Sequence, residues 1–312
     1  MKSFLIFLFS LSLSLSLISI SFPSKSQTLI SADELDALNK YQDTLKIVSD
    51  SILDAPDENI REASCYVFIR TLVRALKVNH SFYFPFDSLQ RISILQSPDN
   101  KFRIFTWALE FGDTTYRYFG TIQMNDPKGL KLFPLFDNSP FMDKPEDSLT
   151  TNEKWFGVIY YRMITEMNSQ GKPYYFLIGW DGNTQRSNKK IIDVLSFNSK
   201  NQPVFGASMF DFGQYDPQNK IKRFIIEYKK DAKVSVNYDE DLQMIVFDHL
   251  QPETPSTKED RATYVPDGTY EGFKWENGKW HHVENVFTST QVVPPIPDPV
   301  NFDKKIMYHP KK

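Results

Sequence analysis

Acidic side chains on β-patterned segments are the groups in this sequence best placed to do chemistry. Asp193 stands between Ile192 and Val194, Glu227 follows Phe224-Ile225-Ile226, and Asp248 follows Phe247. Two carboxylates brought together from separate strands can act as acid and base, or acid and nucleophile, in hydrolysis. Such a pair leaves no local motif. The three residues are therefore candidate catalytic groups beside a plainer reading, a strand-end carboxylate bonded to backbone. The acid run Asp239-Glu240-Asp241 is a candidate calcium site. Its flanks, Tyr238 and Leu242, equally fit a solvated hairpin turn. The five histidines form no His-x-x-x-His or His-Glu-x-x-His pattern, and a single cysteine makes no pair, so zinc has no local nucleus. There is no Gly-x-Ser-x-Gly elbow and no glycine-rich phosphate loop, and no cofactor is expected. Tyr161, Tyr174 and Trp180 are candidates for stacking on a ligand, against the alternative that they fill a core.

The elements that must position these residues begin with two helices. Ser31-Ala32-Asp33-Glu34 is a capping box, followed by Leu35, Leu38, Leu45 and Val48 at near-helical spacing up to a stop at Asp54-Ala55-Pro56. A second helix starts near Asp57, with an apolar stripe through Ile69, Leu72 and Leu76. Cys65 lies in this stripe and reads as a small apolar core residue rather than a reactive thiol. From Ser81 the apolar period falls to two. Ile92 to Leu95, the turn Ser97-Pro98-Asp99-Asn100 and Phe102 to Leu109 make a hairpin. Further strands are predicted over 116–124, 131–136, 154–165, 174–179, 189–197, 204–210, 222–229, 233–238 and 243–247. A last hairpin turns on Glu276-Asn277-Gly278-Lys279.

Short strands at regular spacing predict a mainly β fold, an antiparallel sandwich or curved multi-strand sheet with an N-terminal two-helix cap. An irregular propeller is the alternative, because Ser97-Pro98-Asp99 and Val265-Pro266-Asp267-Gly268 resemble blade loops. No repeat of propeller length accompanies them. The segments are a leader at 1–26, a helical cap at 27–80, a β domain at 81–290 and a proline-rich extended tail at 291–312.

Lys2, the apolar run from Ser3 to Phe22, then Pro23 and Ser24-Lys25-Ser26 have the order of a secretory signal peptide, with cleavage before Gln27. An uncleaved membrane anchor is the alternative. Removing those 26 residues from 312 leaves 286, and with Lys2 and Lys25 gone the formal charge moves from −3 to −5. That balance argues against a nucleic-acid partner, which would need a basic face. No transmembrane segment follows the leader. Aromatic residues make up 15% of the chain, which favours sheet.

Tyr118-Phe119-Gly120-Thr121-Ile122-Gln123, Tyr174-Tyr175-Phe176-Leu177-Ile178-Gly179-Trp180-Asp181-Gly182-Asn183 and Phe224-Ile225-Ile226-Glu227-Tyr228-Lys229-Lys230-Asp231-Ala232 resemble segments of uncharacterised exported proteins of the Bacteroidetes. The resemblance implies export through a Gram-negative inner membrane, to the periplasm or beyond. It implies no activity and no site residues.

The expectation is an exported, non-enzymatic binding or envelope-associated protein, with an envelope protein or glycan as partner. The alternative is a secreted or periplasmic hydrolase of glycans or peptides using strand-borne carboxylates.

Overall fold

The computed structural model describes residues 29–112 and 114–287. The leader at 1–26 and the proline-rich tail at 291–312 lie outside the described residues.

Two helices come first. Helix α1, Ala32–Asp54, opens on the complete capping box: the Ser31 hydroxyl accepts from the Glu34 N–H, and the Glu34 carboxylate accepts from the Ser31 N–H at 2.8 Å. Helix α2, Glu58–Leu76, is capped by the Asp57 carboxylate, which accepts from the N–H groups of Asn59 and Ile60.

The first sheet is an antiparallel meander of β1 (Ser93–Gln96), β2 (Phe102–Glu110), β3 (Tyr116–Met124) and β4 (Lys131–Phe136). The second holds β5 (Thr150–Thr151), β6 (Ile159–Met167), β7 (Pro173–Asp181), β8 (Ser187–Phe197), β9 (Pro203–Phe205) and β11 (Phe224–Lys229), with β10 (Phe210–Asp211) lying in the next sheet. Strand β8 is the axis of this second sheet. It pairs with β7 on one side, and on the other with β11 along its first half and β9 along its second. The third sheet has the order β10-β15-β14-β13-β12, with β12 at Val236–Asp239, β13 at Met244–Pro252, β14 at Tyr264–Glu276 and β15 at Lys279–Val283.

Burial shows how these layers stack. Leu38, Leu45, Phe68 and Leu72 of the helices meet Phe105, Trp107 and Leu109 of β2. The other face of the first sheet, Phe102, Ile104 and Ile122, meets Leu177, Ile191 and Leu195 of the second. The far face of the second, Phe176, Ile178, Ile192 and Val194, meets Phe247, Phe273 and Trp280 of the third. The fold is thus a mainly β stack of three sheets capped by a helix pair, with no closed barrel. The sandwich expectation holds, with one sheet more than a simple sandwich.

Most predicted strands shift only at their ends, and two differ in kind. The span 154–165 starts its strand only at Ile159, because Asn152–Lys154 is a helical turn and Trp155, Phe156 and Val158 bury their side chains before the strand begins. The span 204–210 divides at Gly206, whose φ of 92° lies in the left-handed region that glycine tolerates. Its first part, β9, extends the second sheet, while β10 crosses to the third and pairs parallel with β15.

Two polar side chains mark the helix-facing core. Arg103 is buried in a cage of Phe82, Phe86 and Phe105 rings, and its guanidinium donates to the carbonyls of Phe84 and Ser81 at 2.6 Å and to Gln123 Oε1 at 2.8 Å. Cys65 is 1% exposed, and its Sγ accepts from Trp107 Nε1 at 3.4 Å. Burial pushes its thiol up to about 11, so thiolate is scarce at neutral pH. Iodoacetamide at pH 8 should leave Cys65 unmodified in the folded protein and alkylate it fully in urea. Rapid labelling of the native chain, read by mass spectrometry, would show a thiol that this packing does not seal.

Candidate functional site

The candidate acids do not share one environment. Asp193 is fully buried on β8 and belongs to the middle layer. Its Oδ1 lies 2.9 Å from Nε of Arg223, which is equally buried. Its Oδ2 accepts from the Tyr160 hydroxyl at 2.9 Å, and that hydroxyl accepts from Trp155 Nε1 at 2.9 Å. Burial, with the Asp193 charge beside it, pushes the Tyr160 phenol well above its ordinary value, so Tyr160 remains a fixed donor. Arg223 also donates from Nη1 to the Pro145 carbonyl at 2.6 Å and stacks over the Phe156 ring. Asp193 therefore joins structural elements and faces no solvent.

Glu227 and Asp248, in contrast, line one cleft. It has a volume of about 630 Å³ and opens between β11 of the second sheet and β13–β14 of the third. The segment from Ser139 to Glu146 forms another wall. Glu227 pairs across the ladder with Lys189. Its Oε1 accepts from the Ser187 hydroxyl at 2.6 Å and the Asn183 amide at 3.0 Å. Asp248 Oδ2 accepts from the Ser235 N–H at 2.6 Å.

A β-bulge shapes the third-sheet wall. The β13–β14 register shifts between Asp248 and Leu250, and Asp248, His249 and Leu250 all reach the cleft. His249 Nδ1 lies 2.8 Å from Asp267 Oδ2, and its Nε2 lies 3.6 Å from Glu271 Oε1. Glu271 Oε2 is in turn 2.9 Å from His282 Nε2. The result is a chain Asp267–His249–Glu271–His282 along the bulge. Burial alone would raise the Asp267 carboxyl, but the Thr269 hydroxyl and N–H and the neighbouring His249 hold it below its ordinary value. Five carboxylates line the cleft (Asp143, Glu146, Glu227, Asp248 and Glu271) against the cations Lys189 and Arg261. Each of Glu227, Asp248 and Glu271 is oriented by donors, the arrangement of fixed anionic acceptors.

The remaining sequence candidates sit elsewhere. Asp239 Oδ1 accepts from the N–H groups of Asp241 and Leu242, closing the β12–β13 turn, and Glu240 pairs with Arg162. Among the described residues no group of three His, Cys, Asp or Glu side chains is placed to hold a metal ion. Trp180 is buried against Tyr116 and offers no face to a ligand, so its place is the core. Tyr161 is half-buried, donating its hydroxyl to the Val236 carbonyl at 2.8 Å with Lys190 over its ring. Tyr174 is half-buried beneath the Lys172 ammonium. The two tyrosines are not part of the cleft lining.

Sequence reasoning missed His249, Glu271, Lys189 and Arg261 at the cleft, and Arg223 in the layer below. The only signal for His249 was its place beside Asp248.

The chain matches no family model, no curated protein and no solved structure in the comparisons made with each. Among the described residues no helix is long and apolar enough to cross a membrane. Function must be argued from the cleft.

The buried pair makes its own prediction. Asp193→Asn leaves Arg223 as an uncompensated buried charge and should lower unfolding stability by roughly 3–5 kcal/mol. Arg223→Met should cost a similar amount, and the double variant clearly less than the two together. Urea unfolding curves check this, and additive losses would show that the two charges are not coupled.

Proposed function

We propose that this is an exported, non-catalytic binding protein whose cleft takes a positively charged ligand. One observation carries the reading: Glu227, Asp248 and Glu271, from three strands, line one cleft, each hydrogen-bonded to a donor, and acids in the lining outnumber cations. Side chains held in this way lose little rotamer freedom when a cation arrives, and their oxygens are already aimed. An envelope protein or an amine-bearing glycan offers such a charge. Export rests on the leader pattern of residues 1–26 and on the resemblance to exported Bacteroidetes proteins.

A second reading has an observation of its own. Glu227 and Asp248 border the same cleft, as the carboxylates of a hydrolase of glycans or peptides would. The donors to both carboxylates favour binding over proton transfer, because a general acid works best in apolar surroundings that keep it protonated.

Spermidine and tri-lysine are suitable probes. Their binding to the mature chain, followed by NMR titration, should weaken with added salt. Glu227→Gln and Glu271→Gln should each weaken it about threefold to tenfold, the scale of one partly exposed charge contact. Affinity untouched by both changes would remove the cationic ligand. Turnover of a glycan or peptide that Asp248→Asn abolishes would replace the binding reading with the hydrolase.

The leader is tested separately. Expressed in a Gram-negative host, the chain should be recovered outside the inner membrane with Gln27 as its first residue. A product that keeps Met1 in the membrane fraction would favour anchoring.

A further inference from the structure

The cleft exposes backbone as well as carboxylates. Strand β11 pairs with β8 on one side, and among the described residues no strand pairs with its other edge. The ladder fixes which groups face that edge. The Lys230 N–H donates to the Arg186 carbonyl at 2.9 Å, one step beyond the Lys229↔Ser187 pair. Hydrogen-bonded pairs recur every second residue in an antiparallel ladder, so Phe224 and Ile226 bond to β8. The N–H and C=O groups of Ile225 and Glu227 then point away from β8, and no hydrogen bond joins either residue's backbone to another described residue.

The two ends of this edge are closed. The next outward N–H, that of Arg223, donates to the Glu146 carbonyl at 3.1 Å. At the far end the Lys229 carbonyl accepts from the Ala232 N–H at 3.0 Å. What stays open is a two-residue window, and it lies in the cleft wall. Unpaired strand edges are the usual receptor for an added strand, where main-chain bonds give affinity and side-chain pockets give selectivity.

We propose that the edge of β11 at Ile225 and Glu227 binds an extended peptide of a partner protein as an added strand, with a lysine or arginine of that peptide meeting the acidic lining of the cleft. This deepens the cationic-ligand reading and rests on it. The charge complementarity selects the occupant. An acidic strand would be repelled by a lining in which five carboxylates stand against two cations, and a basic one attracted. Alternation does the rest: one side of the added strand meets the carboxylates and its main chain meets Ile225 and Glu227.

The test uses the mature chain and a blocked heptapeptide that alternates valine and threonine around one central lysine. By NMR hydrogen exchange, the amides of Ile225 and Glu227 should exchange readily in the free protein and at least tenfold more slowly with saturating peptide. Replacing the central lysine by glutamate should abolish binding. Two versions of the peptide, N-methylated at alternate amides in opposite phases, should differ: one binds normally and the other at least tenfold more weakly, because an added strand uses one of its edges. Ile225→Pro removes an N–H that the β8 ladder does not use, so the fold should survive with peptide affinity down at least tenfold. Equal affinity for both methylated peptides, or peptide binding with no protection at residues 225 and 227, overturns strand addition. Amides already protected in the free protein overturn it too, since the edge would then be filled within the chain. Spermidine binding without peptide binding defeats strand addition alone, and failure of both probes defeats the cationic-ligand reading as well.

Discussion

The contact between Asp193 and Arg223 is the constraint around which the middle of the molecule is arranged. Two opposite charges lie without solvent between apolar layers. Such a pair adds little net stability, because desolvation offsets most of the attraction. What it adds is position. A slip of β11 by one residue along β8 would turn every side chain of β11 to the opposite face and carry Arg223 away from its carboxylate. The ion pair thus penalises the wrong register. Register in turn decides that Ile225 and Glu227, rather than their neighbours, offer their backbone to the cleft. The Arg223 bond to the Pro145 carbonyl extends the same control to the wall formed by residues 139–146.

The middle sheet explains why so much of the chain is apolar without alternation. Sheets with one wet face read as apolar and polar in turn, whereas a sheet covered on both faces reads as a continuous run. Strand β8 shows this at Ile191, Ile192, Val194 and Leu195, which divide between two different cores. Asp193 interrupts the run, and the Arg223 cation and Tyr160 hydroxyl, brought to it from residues distant in sequence, together with the Val194 N–H, make that tolerable. The first sheet solves a similar problem without an acid, surrounding Arg103 with carbonyls and aromatic rings.

What could be read from the sequence follows how local each signal is. The capping box at Ser31, the change of period at Ser81 and the strands at 116–124 and 131–136 depend on neighbours in the chain, and the structure keeps them. The sandwich class was legible too, since it needs only the number and spacing of strands. The cleft was not. It depends on β8 pairing with β11, on a bulge at Asp248 to Leu250, and on His249 and Glu271 meeting across that bulge. A bulge is one extra residue in a ladder, and nothing in Phe247-Asp248-His249-Leu250 announces it. For Trp180 the core reading is the one the structure shows, with Tyr116 arriving from β3 to cover it.

The arginine that neutralises Asp193 follows it in the chain, after β9 and β10 have been made. A growing chain exposes the acid first and its cation later. Until Arg223 arrives, closing the second sheet against its neighbours would bury a lone carboxylate, which is strongly unfavourable. The ion pair therefore imposes an order of events. The middle layer cannot consolidate from the N-terminus as strands emerge, and must wait for β11, the same strand whose open edge forms the cleft.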